Sequence, residues 1–181
     1  MAGKLNIYLI GLSGTGKTRS GQLVAELLGW PFVEMDGVIE DRCGKTIPDI
    51  FKDNGEHYFR DLESQILEEV AERGGRVVST GGGVPIRPQN RKTMNSTGLV
   101  IRLTASSKTI HKRLAISSKR RGRNLRPLLG NDAPIKSIEN MMTAREKAYS
   151  TASITLDTEH KSHHQVAKNI IEVWRNIEMA E

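Results

Sequence analysis

Gly11-Leu12-Ser13-Gly14-Thr15-Gly16-Lys17-Thr18 follows directly on the mostly apolar run Leu5-Asn6-Ile7-Tyr8-Leu9-Ile10. The octet satisfies the pattern G-x-x-x-x-G-K-[ST] at every fixed position. Its setting completes the signal, with a strand before it and an amphipathic helix after it. Gly11, Gly14 and Gly16 permit backbone conformations closed to other residues and bring N–H groups against a polyphosphate. The helix that begins near Lys17 points its partial positive end at the same anion. Lys17 reaches for β- and γ-phosphates, and the Thr18 hydroxyl is placed to ligate Mg²⁺. The stretch predicts a nucleoside triphosphate site, with Gly14, Thr15, Gly16, Lys17 and Thr18 as its phosphate-binding residues.

Outward from this loop, helical and strand periods alternate. Leu23, Val24, Leu27 and Leu28 form an apolar stripe closed by Gly29, and Pro31-Phe32-Val33-Glu34-Met35 reads as a short second strand. Leu62, Ile66, Leu67, Val70 and Ala71 share one helical face, and Arg76-Val77-Val78-Ser79 is a third strand cut off by three glycines. Leu99-Val100-Ile101-Arg102-Leu103 and Ile154-Thr155-Leu156 are the fourth and fifth strands. Stripes at Ile138, Met141 and Met142, and at Val166, Ile170, Ile171, Trp174 and Ile177, mark two later helices. Such alternation implies a three-layer α/β/α fold around a five-stranded parallel sheet, with ligands at the carboxyl ends of the strands. Residues 37–60 and 115–133 stand outside this rhythm and read as excursions over the rim of a site.

The chain of 181 residues suits a single domain spanning its whole length. The N-terminus enters the first strand with no room for a signal peptide, and no apolar run approaches a membrane span. Cys43, the single cysteine, has no partner for an internal disulfide. These features predict a cytoplasmic protein, expected as a monomer. The formal net charge of +6 points to anionic partners. Lys119-Arg120-Arg121-Gly122-Arg123 is a basic tract, but no aromatic side chain beside it could stack a base. A multiply charged nucleotide accounts for the charge, and neither nucleic acid nor membrane is an expected partner.

Three further features carry chemistry. Asp36, expected at the end of the second strand, presents a carboxylate able to accept a hydroxyl proton beside the phosphate loop. Gly81, Gly82 and Gly83 remove every side chain where a backbone must approach a ligand closely. Arg60 and Arg145 are of the residue type suited to a bidentate clamp on a carboxylate, although either taken singly reads equally as a solvated surface residue.

Together these residues resemble shikimate kinase, of the nucleoside-monophosphate-kinase-like P-loop group, over nearly the whole chain. The resemblance rests on the phosphate loop, on Asp36 with Ile39-Glu40, and on Ile50-Phe51, Gly55-Glu56 and Phe59-Arg60. It continues through Ser79-Thr80-Gly81-Gly82-Gly83, Arg126-Pro127-Leu128-Leu129, and Arg145 with Tyr149. It implies that ATP phosphorylates the 3-hydroxyl of shikimate in the aromatic amino acid pathway, with Mg²⁺ required. Asp36 would be the general base, and Arg60 and Arg145 would clamp the substrate carboxylate above the Gly81, Gly82 and Gly83 backbone. Arg126 would belong to a lid over residues 116–129 that closes on ATP and stabilises the transferring charge. Residues 37–60 would form the shikimate-binding region. Thr18 would hold the ion, with Glu34 and Ser79 reaching it through water.

Two departures from the family pattern stand out. The family has Asp-x-Asp after its second strand, whereas here the first acid is Glu34. It also places a proline against the adenine after its fifth strand, and Asp157-Thr158-Glu159-His160-Lys161-Ser162-His163 contains none. His160, His163 and His164 are read as part of an exposed polar loop rather than a metal site. The nearest rivals are an adenylylsulfate kinase, whose phosphate loop has the same form, and a P-loop paralogue that binds ATP without turnover. The triple glycine, the Arg-Pro-Leu-Leu segment and the two arginines weigh against the first. The intact Lys17, Asp36 and Arg126 weigh against the second.

Overall fold

In the computed structural model, residues 5–121 and 134–179 are described. Arg126 and most of the expected lid, residues 122–129, lie outside them. Five parallel strands form one sheet in the order β2-β3-β1-β4-β5: Asn6–Ile10 (β1), Phe32–Glu34 (β2), Val77–Ser79 (β3), Gly98–Thr104 (β4) and Ile154–Asp157 (β5). The expected architecture is the one observed.

β1 is central and buried along its full length, as a strand covered on both faces must be. Its side chains alternate between two cores. Ile7 and Leu9, with Val77, Leu99, Ile101 and Leu103, pack under α1 (Lys17–Leu28) and α7 (His163–Glu178). Tyr8 and Ile10, with Val78 and Val100, face α2 (Met35–Cys43), α3 (Ile47–Ala71) and α4 (Pro88–Thr97). A third, smaller cluster joins Leu12 and Ala105 to α5 (Ser107–Arg121) and α6 (Ile135–Tyr149) through Ile110, Leu114 and Ile138. The chain leaves β1 toward one face and β3 toward the other. A crevice therefore opens between their carboxyl ends. Thr80 closes its floor by donating its amide and hydroxyl to the Leu9 carbonyl, at 3.1 and 3.0 Å.

The second strand is shorter than its sequence suggests. It ends at Glu34, and Met35 and Asp36 already belong to α2. Met35 and Ile39, four residues apart and both fully buried, give this segment a helical period that overrides the strand reading. Asp36 thus sits in the first turn of a helix, and it does not share a strand face with Glu34. The expected excursion of residues 37–60 is two helices. α3 breaks at Gly55, whose φ of +80° no ordinary helical residue adopts, so Arg60 lies in the second turn of a renewed helix. Arg60 thereby faces the sheet rather than solvent.

Candidate active site

The octet wraps the start of α1 as expected, with Gly14 and Gly16 at φ +88° and +99°. Lys17 is buried, its Nζ donating to the carbonyls of Gly11 at 2.8 Å and Leu12 at 3.1 Å, which aims the ammonium along the concave side of the loop. Thr15 is turned inward, giving both its amide and its hydroxyl to the Leu12 carbonyl, at 3.3 and 2.8 Å. Its role is to hold the loop's shape. The first-turn N–H groups of Lys17 and Thr18 have no helical carbonyl to bind and open toward an anion.

Three oxygen donors gather beside Thr18. Its hydroxyl donates to Glu34 Oε1 at 2.7 Å and lies 3.4 Å from the Ser79 hydroxyl. One comes from each of α1, β2 and β3. The longer arm of glutamate brings the Glu34 carboxylate directly onto the helix-start hydroxyl. A set of hydroxyl and carboxylate oxygens suits a hard ion such as Mg²⁺, which keeps most of its waters.

On the other side of the crevice, the three glycines leave room for the ends of functional side chains, and space rather than φ favours them. A Cβ at Gly81 would lie 2.6 Å from Glu63 Oε1 and 2.7 Å from Asp36 Oδ1. One at Gly82 would be 3.0 Å from Arg145 Nη1, and one at Gly83 would overlap the Arg60 guanidinium. The structure thus brings Asp36, Arg60 and Arg145, from α2, α3 and α6, onto one short backbone segment. Arg145 Nη1 and the Tyr149 hydroxyl both donate to the Gly82 carbonyl, at 3.0 and 2.7 Å. The two arginines read from sequence as separate and ambiguous are parts of one site.

Arg60 is held by acids on its own helix: Nη1 donates to Glu63 at 2.5 Å, and Nε and Nη2 donate to Glu56 at 3.2 and 2.9 Å. Glu63 is 1% exposed. Burial pushes its carboxyl up to about 7 against the attraction of Arg60. Burial likewise pushes Asp36 up to about 6, opposed by Lys17 and reinforced by Glu34 and Glu40. A carboxyl so placed is poised to take a proton near neutral pH.

Sequence reasoning passed over Glu63, although a signal existed. Glu63 stands at i, i+3, i+4 and i+7 with Ile66, Leu67 and Val70, so an acid lies on the buried stripe of its helix. It passed over Arg113 as well, which ties α5 to the loop after β5 by donating to Thr158 Oγ1 at 2.9 Å and to its carbonyl at 2.8 Å. His163, expected in an exposed loop, begins α7 instead, and its ring Nδ1 stands 3.5 Å from Ser20 Oγ beside the phosphate loop. Burial and the neighbouring Arg113 and Arg19 hold this imidazole below its usual range. The phosphate loop, Glu34, Asp36, Ser79, Gly82, Arg113 and His163 line one open cleft of about 640 Å³. Its lining carries Lys17, Arg19 and Arg113 as well as the acids Glu34, Asp36 and Glu40.

Several known proteins similar to this chain share one description. A family model described as shikimate kinase matches residues 13–175. A shikimate kinase of Geobacter sulfurreducens is 41% identical over 165 residues, covering 91% of this chain and 88% of that protein. One of Persephonella marina is 40% identical over 166 residues, 92% and 96% of the two chains. Among solved structures, shikimate kinase from Acinetobacter baumannii in complex with shikimate superposes with a TM-score of 0.87 at 33% identity. That match covers 96% of this chain and 94% of the other.

Proposed function

The chain belongs to the shikimate kinase family, and we propose on that premise how its residues divide the work of a small-molecule kinase. The reaction moves the γ-phosphoryl group of ATP to the 3-hydroxyl of shikimate. The observation that carries the assignment is the convergence of Arg60, Arg145 and Asp36 on the Gly81, Gly82 and Gly83 backbone, across the crevice from Lys17.

Arg60 and Arg145 bind the shikimate carboxylate, and two guanidinium groups from different helices fix the ring's orientation as one cannot. The ring lies against the triple glycine, where no Cβ intervenes. Asp36 accepts the proton of the attacking hydroxyl as its oxygen bonds to the γ-phosphorus and the bond to the β–γ bridging oxygen breaks. Lys17, with the amides of Gly14, Gly16, Lys17 and Thr18, holds the polyphosphate and stabilises the charge that gathers on the leaving oxygen. Arg126, outside the described residues, is assigned by the family pattern to the same task from the lid. Thr18, with Glu34 and Ser79 through water, would hold Mg²⁺, which when bound would neutralise charge on the phosphates. The family pattern assigns residues 116–129, of which 122–129 lie outside the described residues, to excluding water and so limiting ATP hydrolysis.

A coupled assay of ADP release with shikimate, gluconate and adenylylsulfate as acceptors tests the reading. ATP consumption is expected to rise with shikimate alone. Turnover with another acceptor and none with shikimate would refute it.

A further inference from the structure

Arg102 lies on the wrong face of its strand for a charge. Along β4, Leu99, Ile101 and Leu103 face the α1 and α7 side, and Val100 faces the α3 side with Tyr8 and Ile10. Arg102 alternates with Val100 and stands in register with Ile10, so its side chain, 13% exposed, leaves the sheet on that same side. A charge there is costly unless it is fully partnered.

Its partners all belong to the end of α6. Both terminal nitrogens donate to the two carboxylate oxygens of Glu146, each at 2.7 Å. Its guanidinium carbon also stands 5.5 Å from the centre of the Tyr149 ring. Glu146 follows Arg145 in the chain, and Tyr149 lies one turn beyond Arg145, on the same helical side. Tyr149 and Arg145 then meet again at the Gly82 carbonyl. The apolar anchors of α6 in the small cluster, Ile138, Met141 and Met142, are all in its first half. Arg102 and Gly82 therefore hold the second half from two directions, beside Tyr149, whose ring is buried in the core on the α3 side.

We propose that Arg102 is a positioning residue for the carboxylate end of the substrate, acting through Glu146 and Tyr149 to set the reach of Arg145. This inference rests on the assignment of Arg145 to that carboxylate. The forked geometry is essential to it. A bidentate pair fixes the plane of both groups, whereas a lysine at 102 would supply charge without orientation. The pair is half open to solvent at Glu146, so breaking it is expected to cost little global stability. Its influence on a substrate group held by one guanidinium is of a different order, since small displacements of a positioning group are amplified in binding.

The test compares Arg102→Met, Arg102→Lys, Glu146→Gln and the double variant Arg102→Met/Glu146→Gln with the parent enzyme and with Arg145→Ala. Arg102→Met and Glu146→Gln are each expected to raise KM for shikimate roughly three- to tenfold, the amplified effect of a small displacement of a group that holds substrate. KM for ATP and kcat should stay within about twofold. Arg102→Lys should recover only part of the loss, and the double variant should be no worse than the poorer single one, because both remove the same contact. If Arg145→Ala raises KM for shikimate while Arg102→Met and Glu146→Gln do not, the pair is a structural brace and the proposal fails. If Arg145→Ala itself leaves KM unchanged, the carboxylate assignment fails first. A loss of Tm without any change in KM would also overturn the proposal.

Discussion

The carboxyl groups of Asp36 and Glu63 flank a single methyl-sized space above Gly81, one reaching it from α2 and the other from α3. A side chain at 81 must displace one acid or both. Gly81→Ala is therefore expected to lower kcat by about 100-fold, the penalty for moving a reacting group by about an ångström. Gly29→Ala provides the contrast. Its φ is +64° with open space around the missing Cβ, so the cost there is backbone strain alone, about 1 kcal/mol of stability with unchanged kinetics. Steady-state rates and thermal melts of the two variants separate crowding of the site from strain in the fold.

Glu63 is the buried counter-ion of Arg60. Glu63→Gln keeps the shape but leaves a nearly buried guanidinium, 8% exposed, with only the more open Glu56 as acid partner. Removing one member of a buried ionised pair typically costs about 3–5 kcal/mol, but burial already holds the Glu63 carboxyl up to about 7 and offsets part of that attraction, so the melting temperature of the ligand-free variant should fall by less than a fully ionised pair would give. Shikimate brings a carboxylate to the same guanidinium. The rise in Tm on adding saturating shikimate should therefore be larger for Glu63→Gln than for the parent enzyme. Equal ligand-induced shifts would show that the substrate carboxylate does not replace Glu63 as the partner of Arg60.

How much of this was legible beforehand follows from how local each signal is. The phosphate loop is read in full from eight residues, because its function is a backbone shape and the shape is written in glycines. The sheet follows from apolar runs whose periods differ from those of the helices. The acids and arginines are harder. Arg60 looks like any arginine after a Gly-Glu pair until Gly55 breaks the helix and turns it inward. Asp36 reads as a strand end, since nothing within Phe32-Val33-Glu34-Met35 announces that the helical period starts at Met35. Glu63, Arg113 and Arg102 draw their roles wholly from partners distant in sequence or from burial.

Glu34 tests whether the changed acid still serves the ion. Its Oε1 accepts the Thr18 hydroxyl at 2.7 Å, so it shares a donor cluster with the metal-binding position. Glu34→Gln is expected to raise the Mg²⁺ concentration needed for half-maximal turnover several-fold, because an amide neither balances the ion's charge nor accepts from its waters as strongly. Glu34→Asp keeps the charge but draws it back by one methylene, and should be tolerated with a smaller shift. Superimposable Mg²⁺ titrations for the parent enzyme and Glu34→Gln would confine Glu34 to orienting Thr18.

Activity and stability should respond to pH in opposite directions between about pH 4.5 and pH 7. Asp36 must be ionised to accept a proton, so kcat/KM for shikimate should rise with pH through an apparent value near 6 and then level off. Folding responds otherwise. Asp36, at about 6, and Glu63, at about 7, are raised above their ordinary values of 3.8 and 4.5, so in this window the folded chain holds protons that the unfolded chain has released. Their contribution to stability is present at the acid end and is lost as pH rises toward the folded-state values, by up to about 1.4 kcal/mol per pH unit for each group. His163, held below its usual range, contributes a slope of the other sign, and the paired surface acids Glu69 and Glu146 act only near and below their ordinary values. The decisive quantity is thus the difference between enzyme and variant. Denaturant unfolding of the ligand-free protein at pH 4.5, 5.5, 6.5 and 7.5 should show Asp36→Asn gaining on the parent enzyme as pH rises to about 6. Glu63→Gln, whose side chain no longer ionises, should recover ground up to about 7. A stability difference between parent and Asp36→Asn that stays constant across this series would mean that the Asp36 carboxyl is ionised throughout, and the acid limb of the rate profile would then belong to another group.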